Sequence, residues 1–170
     1  MILGCYKVSE KAKIPSIATA YSACFDLSSC FHKDVVKCMD EYNVKIDLKV
    51  IDDYIILPAR SRALIPTGLI FIVPDRKKIE IMPRSGLCWK HGITVINSPG
   101  IIDQDYTDET FVLLHNTSNV PFTIGDGDRI AQASVEKNTS YGLTVCESAI
   151  GVSSLKEGYE RNGGFGSTGV

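Results

Sequence analysis

Between residues 46 and 50 the chain alternates: Ile46, Leu48 and Val50 fall on one side of an extended segment, Asp47 and Lys49 on the other. A period of two is what a strand with one buried face requires, because successive side chains point to opposite faces. Short apolar runs of this kind recur along the chain, each bounded by turn-forming residues. Residues 22–27, Tyr54-Ile55-Ile56-Leu57 ahead of Pro58, and Lys78-Ile79-Glu80-Ile81-Met82 read as strands, and residues 63–74 as two strand pieces around a bend. Further strands are predicted at 94–97, 110–115, 120–124, 130–136 and 142–147. One segment departs from the pattern. In 31–42, Val35, Met39 and Tyr42 stand at i, i+4 and i+7, a spacing that predicts a short amphipathic helix dependent on tertiary support. The last eight residues, 163–170, hold too many glycines for a helix or a central strand and read as a mobile tail. No internal repeat and no domain boundary is visible. The pattern predicts a single all-β domain, a sandwich or jelly roll.

Composition narrows this further. The chain has 170 residues, 44% hydrophobic and 22% charged, the balance of a globular domain with a real core. A net charge of −2 argues against a surface for nucleic acid or acidic membrane. No apolar run approaches the roughly 20 residues that span a bilayer. The first residues lack a basic region followed by a long apolar stretch, so a cytoplasmic protein without a signal peptide is expected. The six cysteines show no Cys-x-x-Cys pair, which suits reduced thiols. Cys30, His32 and Cys38 lie close enough in sequence to be metal ligands, but such a site needs a fourth ligand; small buried apolar residues are the commoner role of free cysteines.

The candidate chemistry centres on residues 97–106. Asn97-Ser98-Pro99-Gly100 forms turns, Ile101 and Ile102 anchor the backbone, and Asp103, Asp105 and Tyr106 follow. Gly100 suits a close backbone approach or a positive φ. A carboxylate on a rigid turn beside an aromatic ring can serve as a general base next to a ring-shaped substrate; a β-turn with solvated aspartates is the plainer alternative. Pro83-Arg84-Ser85-Gly86-Leu87 places a guanidinium, a hydroxyl and a flexible backbone in succession, either an anion contact or a turn with a surface arginine. Lys90 and His91 add positive charge, though His91 also reads as a structural histidine. Gly127-Asp128-Arg129-Ile130-Ala131-Gln132 reads as a hairpin entry whose Gln132 amide could reach a phosphate or a base edge. Near the end, Arg161 precedes Phe165, Gly166, Ser167 and Thr168: a ring able to stack on a base, with hydroxyls and a cation able to hold phosphates. No Walker-type loop, Gly-x-Ser-x-Gly or His-Glu-x-x-His is present.

Five stretches, at 23–27, 83–87, 100–106, 127–132 and 164–169, occur in the order of five family motifs, with Ile65-Pro66-Thr67-Gly68-Leu69 before the second and Lys90-His91-Gly92-Ile93 after it. In these the chain resembles the trimeric, all-β deoxyuridine triphosphatases (dUTPases). The resemblance implies a distorted jelly roll, a homotrimer with three active sites between subunits, and hydrolysis of dUTP to dUMP and pyrophosphate with Mg²⁺ on the triphosphate. It implies that Asp103 is the general base and that Tyr106 packs on the deoxyribose. Asn97, Gly100 and the backbone around Ile101, Ile102 and Phe111 match the uracil-reading hairpin. Arg84, Ser85, Gly86 and Gln132 match phosphate contacts. Asp26 matches an acid that is structural or binds Mg²⁺ through water. Phe165 and Gly166 match the closing tail of 160–170, with Arg161, Ser167 and Thr168 on the phosphates. Cys24 and Asp108 stand where the family commonly has glycine, and Arg161 lies one residue nearer the phenylalanine, with Glu160 in the usual arginine position. The segment 29–53 is longer than the family pattern. It reads as a structural extension, with a trimer-face cover or a protein-partner surface as the alternatives. A dCTP deaminase relative and a non-catalytic binding protein on the same fold are the competing functions.

Overall fold

The computed structural model describes residues 2–139 and 141. In chain order the strands are β1 (Gly4–Lys7), β2 (Phe25–Ser28), β3 (Val35–Met39), β4 (Lys45–Lys49), β5 (Tyr54–Leu57), β6 (Arg62–Pro66), β7 (Leu69–Ile72) and β8 (Lys77–Met82). The helix α1 (Ser85–His91) follows, then β9 (Ile93–Val95), β10 (Gly100–Ile102), β11 (Phe111–Asn116), β12 (Phe122–Gly125) and β13 (Arg129–Lys137). They form a four-stranded sheet in the order β10-β8-β13-β2, a five-stranded sheet β4-β3-β6-β11-β9, and the pairs β1-β7 and β12-β5. The strand pairings are antiparallel, as the short alternating runs require. The all-β, jelly-roll-like expectation therefore holds.

The inward faces supply one continuous core. Leu27, Ile79, Ile81, Ala131 and Ala133 come from the four-stranded sheet; Val36, Ala63, Ile65, Val112 and Leu114 come from the five-stranded one. Each fully buried Leu or Ile contributes about 1.5–3 kcal/mol. β13 is the spine, paired with β2 on one side and β8 on the other. Its register shifts between Arg129 and Ala131, so that Ile130 and Ala131 are buried in succession. A bulge of this kind bends the strand and re-aims the side chains beside it, here Arg129.

Two local expectations are corrected, and one open alternative is decided. Residues 31–42 do not form a helix: Val35–Met39 is a strand. The physical reason is that Val36 and Cys38 bury alternately while Val35 and Lys37 point outward, and the strand finds partners in both β4 and β6. Asp40 then closes the turn, its Oδ1 accepting from Tyr42 N at 2.9 Å and Val44 N at 2.8 Å. The extra segment is thus a hairpin that widens the five-stranded sheet. Secondly, the Pro83–Leu87 turn continues into α1, which Gly92 ends in the left-handed conformation with Lys90 and His91 in the last turn. The alternative left open at Gly100 falls to the close approach: it lies within β10 with Asn97 and Ile81 against it, and among the described glycines positive φ is found at Gly68, Gly92 and Gly127. At Gly68 a Cβ would stand 2.7 Å from Cys30 Sγ and 2.8 Å from Ala12 Cβ, so both conformation and space demand glycine. The strand predicted at 142–147 and the tail at 163–170 lie outside the described residues.

Candidate active site

β10 pairs with the outer side of β8, Gly100 opposite Ile81 and Ile102 opposite Ile79. Ile102 is buried, whereas Ile101 is half exposed, so the two isoleucines divide the work: one anchors the strand and the other faces outward. A Cβ at Gly100 would lie 3.3 Å from Asn97 Nδ2 and 3.5 Å from Ile81 Cβ, so glycine allows the Asn97 turn to close over β10. Between this turn and β11 lies a cavity of about 370 Å³. Asn97, Gly100, Ile101, Ile102, Tyr106 and Phe111 all line it, with Leu64, Ile81 and Val95 on its apolar side. The exposed Asp103 follows directly on the strand that forms this wall. A turn closed by Tyr106 N–H donating to the Asp103 carbonyl at 3.2 Å then brings the ring back to the pocket. The Tyr106 hydroxyl donates to the Glu109 carbonyl at 3.0 Å. Burial, with Asp108 and Glu109 nearby, raises its pKa above the ordinary phenol, which keeps the donated proton in place. Asp103 is also one of the charges facing Lys78. That ammonium is bound at 2.8 Å to Glu80, and this hydrogen bond chiefly raises its pKa.

A second group gathers where β2, β13 and the start of α1 meet. Asp26 Oδ1 lies 2.9 Å from Arg84 Nε, and Asp26 Oδ2 lies 3.0 Å from an Arg129 guanidinium nitrogen. Arg84 donates in addition to the Arg129 carbonyl at 2.9 Å. Gln132 Nε2 donates to the Pro83 carbonyl at 3.0 Å, which ties the strand to the residue before Arg84. Ser85 and Gly86 stand exposed in the first turn of the helix, and the space beside Gly86 is open to 4 Å. The cluster holds two guanidinium groups and one carboxylate, an arrangement that fixes the arginine forks while leaving net positive charge. None of Asp26, Arg84 and Arg129 lines the cavity beside β10. The two groups sit toward opposite edges of the same four-stranded sheet.

Among the described residues, no three His, Cys, Asp or Glu side chains come together to hold a metal ion. Both Asp26 oxygens are engaged by guanidinium groups. This donor set does not fit a cation caged by the chain; it fits one that brings most of its ligands as substrate oxygens and water. Cys30 and Cys38 are buried, and desolvation raises both thiol pKa values, away from the thiolate that metal binding needs. His91 packs its ring against Phe122 with centroids 5.1 Å apart, a structural contact. Arg161, Phe165, Gly166, Ser167 and Thr168 lie outside the described residues. Two residues absent from the sequence-based set belong to the geometry. Arg129 shares Asp26 with Arg84, and its place in the fourth motif was the available signal. Glu109 holds the Tyr106 hydroxyl through its carbonyl, and Gly68 N–H through its carboxylate at 2.9 Å; no local pattern marks that reach.

The family model described as dUTPase matches residues 32–169. The deoxyuridine 5'-triphosphate nucleotidohydrolase of Arabidopsis thaliana is 42% identical over 164 residues, covering 96% of this chain and 81% of that protein. The enzyme of the same name from Nautilia profundicola is 40% identical over 163 residues, covering 96% and 95%. Among solved structures, a point mutant of the Staphylococcus bacteriophage 80alpha dUTPase with dUpNHpp has a TM-score of 0.74 at 18% identity, covering 99% of each chain. A mutant dUTPase from phage phi11 of S. aureus, described with a structural Mg(II) ion, has a TM-score of 0.67 at 17% identity, covering 88% of this chain and 99% of that one. At such identities the structures support the fold.

Proposed function

The chain belongs to the dUTPase family, and from that premise we propose that it hydrolyses dUTP to dUMP and pyrophosphate at a site shared between the β10 pocket and the arginine cluster. The observation that carries this reading is the cavity of about 370 Å³ whose wall runs straight into Asp103. A nucleobase and its sugar fit a space of that size and lining. The Asn97 amide and the edge of β10, unpaired among the described residues, offer donors and acceptors to the uracil edge, and the Tyr106 ring packs on the deoxyribose where a 2′-hydroxyl would clash. Asp103 then orients a water and takes its proton as the water attacks the α-phosphorus; the bond to the bridging oxygen breaks and pyrophosphate leaves. Arg84 and Ser85 hold the phosphate oxygens, with Gln132 bracing Pro83 beneath them. A Mg²⁺ ion carried on the triphosphate would supply charge neutralisation, reaching Asp26 only through water.

We infer further that the working unit is a homotrimer with sites between subunits. The separation of the hairpin pocket from the Asp26–Arg84–Arg129 cluster within one chain supports this, since one substrate must meet both. Arg161, Phe165, Ser167 and Thr168 would close the site over base and phosphates. The test is release of pyrophosphate from dUTP, dCTP, dTTP and UTP in the presence of Mg²⁺, with ammonia followed in parallel. Release from dUTP alone, without ammonia, is expected. Ammonia from dCTP would replace this reading with a deaminase, and silence with every nucleotide would leave a binding protein.

A further inference from the structure

We propose that His32 is a positioning residue for the Tyr106 hairpin, acting through Glu109; the proposal rests on the reading of that hairpin as the substrate pocket. His32 belongs to the extra segment, between β2 and β3, far from the pocket in sequence. Its Nε2 lies 3.4 Å from Glu109 Oε2, with the two side chains only 12% and 10% exposed. The contact is within ion-pair range but not aligned as a hydrogen bond, so among the described residues the buried Nε2 has no hydrogen-bond partner of its own. Nδ1 faces the Cys30 carbonyl at 3.2 Å. Both ring nitrogens thus look at oxygen, Nε2 at the Glu109 carboxylate and Nδ1 at the Cys30 carbonyl.

Glu109 is the junction. One carboxylate oxygen takes the Gly68 N–H at 2.9 Å, and the other faces His32. The carbonyl of the same residue takes the Tyr106 hydroxyl at 3.0 Å. Thr110 next to it is fully buried, and its carbonyl accepts from Thr67 N at 3.2 Å and Thr67 Oγ1 at 2.7 Å. The ring that checks the sugar therefore hangs from a backbone whose side chain is held by the nearly buried contact with His32. Without His32 the Glu109 carboxylate keeps a single N–H partner in a water-poor place, a costly arrangement that favours its escape toward solvent. Such a movement displaces the carbonyl that holds Tyr106. A mere strut would lower stability alone; this linkage also loosens the fit around the sugar.

The experiment compares His32→Asn, His32→Gln and Lys37→Ala with the parent protein. Asn retains a donor near the Cys30 carbonyl but cannot reach Glu109, whereas Gln places an amide N–H near the Nε2 position. Lys37 pairs with Asp47 on the same hairpin and is the control. Two readouts are taken: KM, kcat and preference for dUTP over UTP, and hydrogen exchange of the amides at 103–110. For His32→Asn we expect KM to rise and the dUTP preference to fall by roughly tenfold, with kcat within about twofold and faster exchange at 103–110. His32→Gln is expected to recover most of both, and Lys37→Ala to change neither. A fall in melting temperature with unchanged KM and preference overturns the proposal, as does unchanged exchange or a failure of His32→Gln to recover. Should His32→Asn not fold, Glu109→Gln, which keeps the acceptor for Gly68 and drops the charge facing His32, is read by the same criteria. If the parent protein hydrolyses none of the nucleotides, the functional reading falls by itself, and the exchange measurement alone decides the role of His32.

Discussion

The pocket beside β10 and the arginine cluster beside β2 are built in opposite ways, and under the proposed function they meet two different recognition problems. The pocket is concave and largely apolar, walled by Ile101, Ile102 and Phe111, with Asn97 the side chain that carries a hydrogen-bonding edge. Its lining comes from residues of a single chain. The cluster is polar and already satisfied within itself: Asp26 binds Arg84 and Arg129, and Arg84 also binds a carbonyl. Shape can be built by packing alone, which is additive and short in range. Like charges must be held against their own repulsion, and Asp26, placed between Arg84 and Arg129, does that holding. Specificity for base and sugar should thus depend on small displacements in the pocket, whereas affinity for the triphosphate should depend on charge and on salt.

Substitutions can break this contrast at successive depths. Asp103→Asn should reduce turnover by about 10²–10⁴-fold, the usual contribution of a general base, while calorimetry with a non-hydrolysable dUTP analogue shows binding retained. Unchanged turnover would remove Asp103 as the base. Arg84→Ala should lower kcat/KM by about 10²-fold with deoxyuridine binding untouched, and Arg84→Lys should recover only part because an ammonium lacks the planar fork. Asp26→Asn is expected to cost about tenfold in kcat/KM and to steepen the salt dependence, since the two guanidinium groups lose the carboxylate that aims them. A pocket-type loss of sugar preference in that variant would erase the distinction drawn here. The smallest effect is expected from Tyr106→Phe. Tyr106 has its pKa raised above the value of 10.0 by burial, then Asp108 and Glu109. Its contribution to stability is complete below the unfolded value and is lost as pH rises through the folded one. The phenylalanine variant should therefore lack part of the alkaline decline seen in thermal melts of the parent.

Much of the fold could be read locally. Residues 46–50 alternate so cleanly that β4 was visible without a partner, whereas the helix ending at Gly92 was missed. Pro83 and Gly86 hid that helix, because both count against a helix interior, and only Leu87 of its seven residues packs, partly buried, against the core. Residues 31–42 misled for a different reason. Val35, Met39 and Tyr42 fit a helical stripe, yet Val36 and Cys38 fit a strand face equally well, and only pairing with β4 and β6 decides between them. The candidate site divided along the same line. The 97–106 stretch drew attention because its turn residues and Asp103 are contiguous, although the strand β10 within it was not predicted. The sharing of Asp26 by Arg84 and Arg129, and the contact of His32 with Glu109, join residues from distant parts of the chain. Long-range pairing of charges leaves no periodic trace.

The hairpin of β3 and β4 has one more consequence, for the solution behaviour of shortened chains. An edge strand exposes a row of unpaired backbone donors and acceptors to any passing strand. Here β4 is that edge, and Lys45, Asp47 and Lys49 line its exposed face. Excising 29–53 would strip these charges away, and the edge would retreat to β6, where Ala63 and Ile65 are buried and Leu64 already half exposed. The product would be a sticky sheet prone to self-association, and its behaviour would be mistaken for the loss of a binding surface. Replacing only the tip, residues 40–44, keeps the charged rim and separates the two effects.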